Sequence, residues 1–199
     1  MYKVTVLLSG GIDSSVLLAL LKDQGVECYP LCIDYGQATA RRELKAATEI
    51  SIKMGHKLEK ISIPNISKIT INQLTRPEIS QNPFYPNRNL LLLTLGSIHA
   101  YENKHQGVAI GVIKAIGTMP FPDIKQAFFD KFTDLIAQSL NYELAILTPF
   151  IDMSKEEVVE IGNKLNVPLE LTYSCLAKND SPCRECESCI SRKEVLGES

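Results

Sequence analysis

The sequence lacks the features of membrane proteins and of proteins that coat nucleic acids. Its 199 residues carry 21 Lys and Arg against 23 Asp and Glu, a net charge of −2. Because this balance provides no broad basic surface, we expect no direct contact with nucleic acid. No apolar run approaches the roughly 18 residues that a membrane-spanning helix requires. We therefore expect no membrane association.

Targeting signals, repeats and histidine pairs are also missing. The chain passes directly into an apolar segment, without the basic stretch and cleavage site of a signal peptide. We expect a cytoplasmic protein, in which clustered cysteines bind metal more often than they form disulfides. His56, His99 and His105 are scattered and form no ligand pair. The length suits one α/β domain with a small appendage.

The sequence does contain a regular alternation of strand and helix patterns. Strands are predicted over residues 4–8, 28–33, 57–63, 107–112 and 144–147. Helices are predicted after residue 12, over 38–54, 90–101 and 124–140, and from Ser154 onwards. Prolines interrupt residues 64–86, which predicts a loop or short-helix excursion over a site. The alternation predicts an α/β fold, a parallel sheet with helices on both faces.

The segment between the first strand and the first helix has the composition of a phosphate-binding turn. Its residues are Leu8, Ser9, Gly10, Gly11, Ile12, Asp13, Ser14 and Ser15. Gly10 and Gly11 allow backbone N–H groups to close around an anion. Asp13, Ser14 and Ser15 suit a helix N-terminus, which favours phosphate. The Walker and dinucleotide-binding patterns are absent, and an ordinary strand-to-helix turn is the alternative for the glycine pair alone.

The string Ser-Gly-Gly-Ile-Asp-Ser-Ser at 9–15 resembles the pyrophosphate-binding loop of the N-type ATP pyrophosphatases. Those enzymes cleave ATP between the α and β phosphates and adenylate an oxygen of the substrate. The resemblance implies that residues 8–15 bind ATP and that Ser9, Asp13 and Ser14 take part in catalysis. The loop also follows the first strand, as it does in that superfamily.

Further candidates lie where other predicted strands end. Asp34, Tyr35 and Gln37 follow the second strand, at the carboxyl edge where ligands bind in doubly wound folds, and we expect them to contact the nucleotide. Arg88 precedes a buried helix, where it is either a phosphate contact or a solvated residue.

Two predicted helix starts also carry charged candidates. Asp123 is expected at or near the N-cap of the helix over 124–140, and capping alone is the alternative to ligand binding. Ser154 and Glu157 form a capping-box pattern that opens the last predicted helix. Lys155 lies in its first turn, where the helix dipole does not favour a cation, and a solvated side chain is the alternative.

The six cysteines fall into two groups. Cys28 and Cys32 lie on the second predicted strand and are expected in the core. The other four form the pattern Cys-x7-Cys-x2-Cys-x2-Cys and are Cys175, Cys183, Cys186 and Cys189. The Cys-x2-Cys step lets two sulfurs reach one tetrahedral ion at about 2.3 Å, which favours a closed structural Zn²⁺ site. An Fe–S cluster, which also takes four thiolates, and a pair of disulfides are the alternatives.

Taken together, the motifs resemble those of the 7-cyano-7-deazaguanine synthase family of the queuosine and archaeosine precursor pathway. They are the loop at 9–15, Asp-Tyr-Gly-Gln at 34–37, Pro-Asn-Arg-Asn at 86–89, Thr-Pro at 148–149 with Lys155, and Thr-Tyr-Ser-Cys at 172–175 with the later cysteines and Arg192. The resemblance covers essentially the whole chain. It implies a Rossmann-like sheet of the adenine nucleotide α-hydrolase type over residues 1–165, with a zinc-binding segment over 166–199 packed on it.

The resemblance also implies a reaction. In the family, ATP adenylates the carboxylate of 7-carboxy-7-deazaguanine, ammonia gives the amide, and a second activation and dehydration give the nitrile. Mg²⁺ is expected with ATP, and a homodimer is one expected arrangement. Arg88 and Lys155 are expected to neutralise the leaving pyrophosphate. Arg88, Asn89, Phe121 and Asp123 are expected to bind the substrate.

The chain departs from the family pattern in two places. The Arg-His that follows Asp-Tyr-Gly-Gln in the family is Ala38-Thr39 here. The loop over 113–125 keeps Pro122-Asp123 but has Met-Pro-Phe for Ser-Gly-Tyr and Ile-Lys for Cys-Arg. The altered loop motivates a second hypothesis, in which the adenylated acyl group passes to an amine of a partner protein, as in anti-phage systems. A third hypothesis is a nucleotide-binding module without catalysis.

Overall fold

A sheet of five parallel strands forms the centre of the computed structural model, which describes residues 1–70, 72–77, 84–114, 121–177 and 181–197. The strands are β1 (Lys3–Leu7), β2 (Glu27–Asp34), β3 (Glu59–Ser62), β4 (Gly107–Ile110) and β5 (Ala145–Leu147). Their spatial order is β3-β2-β1-β4-β5, and every neighbouring pair is parallel. The strand order therefore reverses between β1 and β4, and ligands bind beyond the carboxyl ends of strands at such a reversal.

Helices cover both faces of the sheet, as the sequence predicts. They are α1 (Ile12–Asp23), α2 (Ala40–Lys53), α3 (Arg88–Glu102), α4 (Gln126–Leu140), α5 (Lys155–Lys164) and α6 (Glu187–Leu196). Three 3₁₀ turns span Pro64–Ile69, Pro122–Ile124 and Leu169–Leu171. Successive strand residues point to opposite faces. Val4 and Val6 of β1 therefore pack with α1, α2 and α5, whereas Leu7 packs with α3 and α4.

Several local predictions are confirmed. Ser154 caps α5: its hydroxyl accepts from the Glu157 N–H at 3.3 Å, and its own N–H donates to the Glu157 carboxylate at 2.7 Å. Cys28 and Cys32 are buried in the core. Of the predicted excursion over 64–86, residue 71 and residues 78–83 lie outside the described residues.

Two helix predictions need correction. The helix predicted over 124–140 begins at Gln126 and has Lys125 as its N-cap, so Asp123 does not cap it but lies in the preceding 3₁₀ turn. The helix that opens at Ser154 is not the last, because α6 follows it. Cys189 is the only buried residue of α6. The helix therefore has no apolar stripe that sequence periodicity could detect.

Candidate active site

The loop between β1 and α1 folds tightly against α2 because Gly10 has no side chain. Gly10 has a φ of +80°, and a Cβ at this position would lie 2.7 Å from both the Ala47 nitrogen and the Glu43 oxygen. The backbone conformation and the close contact each exclude other residues. The loop is thus held in one place by backbone packing.

In the part of the chain that the structure describes, no side chain caps the backbone donors in the first turn of α1. Its N-cap is Gly11, which has no side chain to accept from the helix N–H groups. The N–H groups of the first turn also have no carbonyl one turn earlier. Ser9 and Ser14 share a hydroxyl–hydroxyl hydrogen bond of 3.2 Å beside this turn. The combination of open N–H groups, hydroxyls and the positive end of a helix suits a phosphate.

A lysine and an aspartate from distant parts of the chain meet beside the loop. Lys155 Nζ lies 2.6 Å and 2.7 Å from the two carboxylate oxygens of Asp13. Both residues lie in first helical turns, Asp13 in α1 and Lys155 in α5. The pair is only partly exposed. The ion pair holds a cation at the phosphate-binding turn, which explains why Lys155 occupies a position that the dipole of its own helix does not favour.

Gly111, which follows β4, is a site residue that the sequence analysis missed. A Cβ on Gly111 would lie 2.9 Å from the Ser14 nitrogen and 2.9 Å from the Asp13 carbonyl carbon. A side chain there would therefore cover the first turn of α1. A lone glycine after a strand is too common a pattern to reveal this contact, which joins residues nearly one hundred positions apart.

The turn after β2 is held together by its own polar side chains. Asp34 accepts from the Gly36 N–H at 2.9 Å and from the Ser62 hydroxyl at 3.0 Å. The Gln37 side-chain oxygen accepts from the Tyr35 N–H at 2.9 Å, and its amide donates to Glu43 at 2.8 Å. Gln37 is buried. The structure therefore gives Asp34 and Gln37 roles inside the protein, and their contact with ATP stays a prediction.

Arg88 lies at the start of α3, close to this turn. Burial raises the pKa of the Tyr35 phenol, and the neighbouring Arg88 guanidinium opposes the shift through charge and a hydrogen bond. The charge of Arg88 also reaches Glu43 on α2. Arg88 thus approaches the turn after β2 from the opposite face of the sheet and is only partly exposed.

Asn89 and Asp123, two of the predicted substrate-binding residues, contact each other. The Asn89 N–H donates to the Asp123 carboxylate at 3.2 Å, and the Asn89 side-chain amide donates to the Asp123 carbonyl at 2.9 Å. Asp123 therefore satisfies a donor in the first turn of α3, not of α4. Asn89 is buried, so its amide serves this contact.

Phe121 lies two residues before Asp123 and borders an open cavity of about 250 Å³. The cavity is lined by Lys114, Phe121, Ile124, Lys125, Gln126, Ile151 and Asp152. The Phe121 ring is nearly parallel to that of Phe84, with an interplanar angle of 12° and centroids 6.0 Å apart. Residues 115–120 of the altered loop over 113–125 lie outside the described residues.

The four cysteines of the C-terminal segment converge. The sulfur atoms of Cys175, Cys183, Cys186 and Cys189 all lie within 4.8 Å of one another. The sulfurs of Cys175 and Cys183 are 3.5 Å apart, and those of Cys183 and Cys189 are 3.9 Å apart. Thiolates about 2.3 Å from one tetrahedral ion are separated by about 3.8 Å. These spacings fit a single metal ion better than a 4Fe–4S core, in which each thiolate binds a different iron.

The cysteine segment is tied to the phosphate-binding loop. The Tyr173 N–H, two residues before Cys175, donates to the Gly10 carbonyl at 2.9 Å. Arg192 of α6 donates to the Thr172 carbonyl at 3.0 Å and to the Leu169 carbonyl at 3.1 Å. A metal bound by the cysteines would thus fix the segment that supports the loop. In the part of the chain that the structure describes, every helix is too short or too polar to cross a bilayer.

Solved structures with low sequence identity share this fold. The U34-tRNA thiolase NcsA from Methanococcus maripaludis, solved with its 4Fe-4S cluster, is 19% identical, with a TM-score of 0.54 over 98% of this chain and 64% of that one. NMN synthetase from Francisella tularensis is 18% identical, with a TM-score of 0.52 over 100% of this chain and 77% of that one. At these identities the likeness confirms the fold alone.

Curated relatives are more similar. The 7-cyano-7-deazaguanine synthase of Saccharophagus degradans is 34% identical over 96% of this chain and 92% of the relative. Synthase 1 of Desulfitobacterium hafniense is 32% identical over 98% of this chain and 91% of the relative. The family model described as queuosine biosynthesis protein QueC matches residues 3–199. The chain therefore belongs to the QueC family of queuosine biosynthesis proteins.

Proposed function

We propose that this protein is an ATP-dependent, C–N bond-forming 7-cyano-7-deazaguanine synthase. The observation that carries the proposal is the open first turn of α1 with the Asp13–Lys155 pair beside it, located where the strand order reverses. The names of the relatives supply the substrate class, since all those described above are 7-cyano-7-deazaguanine synthases.

The phosphates of ATP would bind at the loop over residues 8–15. The N–H groups of the first turn would donate to phosphate oxygens, and Ser9 and Ser14 would add their hydroxyls. Lys155 and Arg88 would offset the charge that develops on the departing pyrophosphate. Mg²⁺ would be held mainly by the phosphates, as this ion commonly is.

The base of 7-carboxy-7-deazaguanine would bind on the β4 side of the reversal, near Phe121 and Asp123. An aromatic ring offers a flat apolar surface to a flat base. The Asp123 carboxylate would accept from the N1–H and the exocyclic amine of the base. This arrangement would place the substrate carboxylate next to the α phosphate, and proximity would then assist adenylation.

The reaction balances without a nucleophilic side chain. A carboxylate oxygen of the substrate attacks the α phosphorus, and pyrophosphate leaves. Ammonia then attacks the acyl carbon, AMP leaves with that oxygen, and the amide forms. A second ATP adenylates the amide oxygen and releases a second pyrophosphate. Loss of AMP and of the two nitrogen-bound protons then leaves the nitrile. The first and second AMP each carry one oxygen of the original carboxylate.

The four cysteines would hold a structural Zn²⁺. Four thiolates leave no open ligand position, so such an ion supplies folding free energy and takes no part in the reaction. Through Tyr173 and Gly10 it would steady the phosphate-binding loop. The comparisons do not favour transfer to a partner protein or a module without catalysis, because the relatives carry the name of synthases.

Isotope transfer tests the proposal directly. Purified protein is incubated with ATP, Mg²⁺, ammonium and 7-carboxy-7-deazaguanine labelled with ¹⁸O in both carboxylate oxygens. We expect one labelled oxygen in each AMP, with one AMP per amide and two per nitrile. Unlabelled AMP, or label in pyrophosphate or inorganic phosphate, would show that the carboxylate is not adenylated. A Lys155→Met variant serves as the control for contaminating ATPases.

A further inference from the structure

Glu43 on α2 is an acidic residue that neither the motifs nor the proposed chemistry uses. Its carboxylate accepts from the Gln37 amide at 2.8 Å and from the Thr39 hydroxyl. Its backbone oxygen lies against Gly10 of the phosphate-binding loop. Glu43 therefore touches both the loop after β1 and the turn after β2, the two segments expected to contact ATP.

Glu43 and the Ile33 carbonyl together orient the Gln37 side chain. The Gln37 amide nitrogen donates to Glu43 at 2.8 Å and to the Ile33 carbonyl at 3.4 Å, so its oxygen is directed to the Tyr35 N–H at 2.9 Å. If the amide were reversed, its NH₂ group would face the Tyr35 N–H, and two donors would meet. The carboxylate is the nearer of the two acceptors that select one orientation of this buried side chain, and in this orientation Gln37 accepts from the backbone at the end of β2.

Thr39 serves Glu43 instead of its own helix. Thr39 is the N-cap of α2, a position where a hydroxyl usually accepts from a helix N–H. Here its side chain makes no capping hydrogen bond and donates to Glu43 instead. Thr39 is also buried.

The two oxygens of the Glu43 carboxylate each accept one hydrogen bond, one from the Gln37 amide and one from the Thr39 hydroxyl. Burial raises the pKa of the Glu43 carboxyl, and Asp34 raises it further, whereas Thr39, Gln37 and Arg88 oppose the shift. The side chain is therefore placed to act through these two hydrogen bonds. A neutral side chain of the same shape that pairs with both partners should replace it.

We propose that Glu43 is a positioning residue for ATP, acting through Gln37 on the Tyr35 backbone and holding the turn after β2 against the phosphate-binding loop. The proposal rests on the proposed function in one respect, namely that this edge of the sheet binds ATP. It requires no contact between Glu43 and the nucleotide.

Three variants of the full chain test this role. Glu43→Met removes both acceptors while keeping the length of the side chain. Glu43→Gln keeps both hydrogen bonds. Its oxygen accepts from the Gln37 amide, and its own amide donates to the Thr39 hydroxyl, which then accepts instead of donating. Glu43→Gln combined with Thr39→Val removes the hydroxyl, so the amide of the new glutamine loses its acceptor at position 39.

Calorimetric titration of each variant with MgATP, without the acid, gives the Kd of the folded protein. We expect Glu43→Met to raise the Kd for ATP roughly tenfold, Glu43→Gln to stay within about threefold of the wild type, and the double variant to approach Glu43→Met. Thr39→Val alone, with Glu43 intact, should have a smaller effect than the double variant. In turnover assays the KM for the acid should stay unchanged in all variants.

A purely structural role predicts a different result. Glu43→Met would then lower the melting temperature and the active fraction, but the folded molecules would keep the wild-type Kd for ATP, and this outcome would overturn the proposal. An equal loss in Glu43→Gln and Glu43→Met would also overturn it, because charge would then be the cause. If the wild type binds MgATP but forms no amide, the proposed function fails while the role of Glu43 is still decided by the Kd values.

Discussion

The candidate site is built differently at its β1 end and at its β4 end. At the β1 end, the first turn of α1 offers backbone donors with no capping side chain, and Lys155 pairs with Asp13 beside them. At the β4 end, the polar groups of Asn89 and Asp123 already bond to each other. The first end presents uncapped donors to an anion, whereas the second presents side chains that also hold α3 in place.

This difference separates two kinds of binding. Backbone donors fixed by helix geometry suit any phosphate and lose little entropy when it binds. The Asp123 carboxylate already accepts from the Asn89 N–H. It must therefore bind a base while keeping this hydrogen bond. We therefore expect substitutions at the β1 end to change turnover strongly, and substitutions at the β4 end to change the affinity for the acid more modestly.

Lys155 should give the largest effect. Replacing Lys155 with Met removes the cation next to the phosphate-binding turn, and we expect kcat to fall by about 10²–10³ because charge on the leaving pyrophosphate is no longer offset. Rates of AMP release measure this change. Lys155→Arg, which keeps the charge, is the matched control and should retain more activity. Wild-type turnover in Lys155→Met would remove the lysine from the mechanism.

The cysteine segment should also act on the β1 end. Cys186→Ser should abolish the bound metal and lower the melting temperature by roughly 5–10 °C, since metal binding contributes folding free energy. Because Tyr173 supports Gly10, the KM for ATP should rise more than the KM for the acid. Metal analysis and calorimetry report these changes. Cys28→Ala, at a core cysteine outside the cluster, should keep the metal. Loss of the metal from this variant would refute the assignment of the metal site to the four-cysteine cluster.

Asp123 tests the β4 end. Asp123→Asn keeps an oxygen that accepts from the Asn89 N–H but replaces the carboxylate that would bind the base. We expect the KM for the acid to rise about tenfold, the cost of one charge-assisted hydrogen bond, with the KM for ATP unchanged. Steady-state kinetics with each substrate varied in turn measure both constants. Unchanged affinity for the acid would leave Asp123 with a purely structural role at α3.

Cys32 provides a reference that belongs to neither end. Burial raises the pKa of the Cys32 thiol from 9.0 to about 12. The unfolded chain therefore releases the proton first, and the stabilisation present below pH 9.0 is lost as the pH rises towards the folded pKa. At pH 10 this loss is on the order of 1 kcal/mol. In Cys32→Ala, the free energy of unfolding measured in urea should fall less steeply between pH 8 and pH 10 (about one unit on either side of the thiol value). A fall identical to that of the wild type would show that the thiol is not responsible.

The sequence predicts the β1 end better than the β4 end, for a physical reason. Gly10, Asp13 and Ser14 lie in one short segment, and a strand, a glycine turn and a helix start define its geometry locally. The capping box at Ser154 is equally local, and the structure confirms it. Four cysteines within a short segment likewise predict their own cluster, which the structure brings together.

The remaining site contacts join distant parts of the chain. Asp123 contacts Asn89 instead of capping α4, and Gly111 packs against the first turn of α1. In the sequence, Glu43 resembles any other acidic residue of an amphipathic helix until Gln37 and Thr39 are placed beside it. Local patterns carry no information on such pairs, because the sheet order and the loop paths decide which residues meet. Helix α6 was missed for a different reason, since its polar residues show no helical stripe.

Mass spectrometry of the base tests the central claim most directly. Purified protein is incubated with ATP, Mg²⁺, ammonium and 7-carboxy-7-deazaguanine, and the free base and AMP are measured over time. We predict that the amide appears first and the nitrile follows, with AMP rising in step. AMP formation without free amide or nitrile would contradict the proposed synthase, because activation would then serve a different acceptor, and a base of unchanged mass without AMP would contradict catalysis altogether.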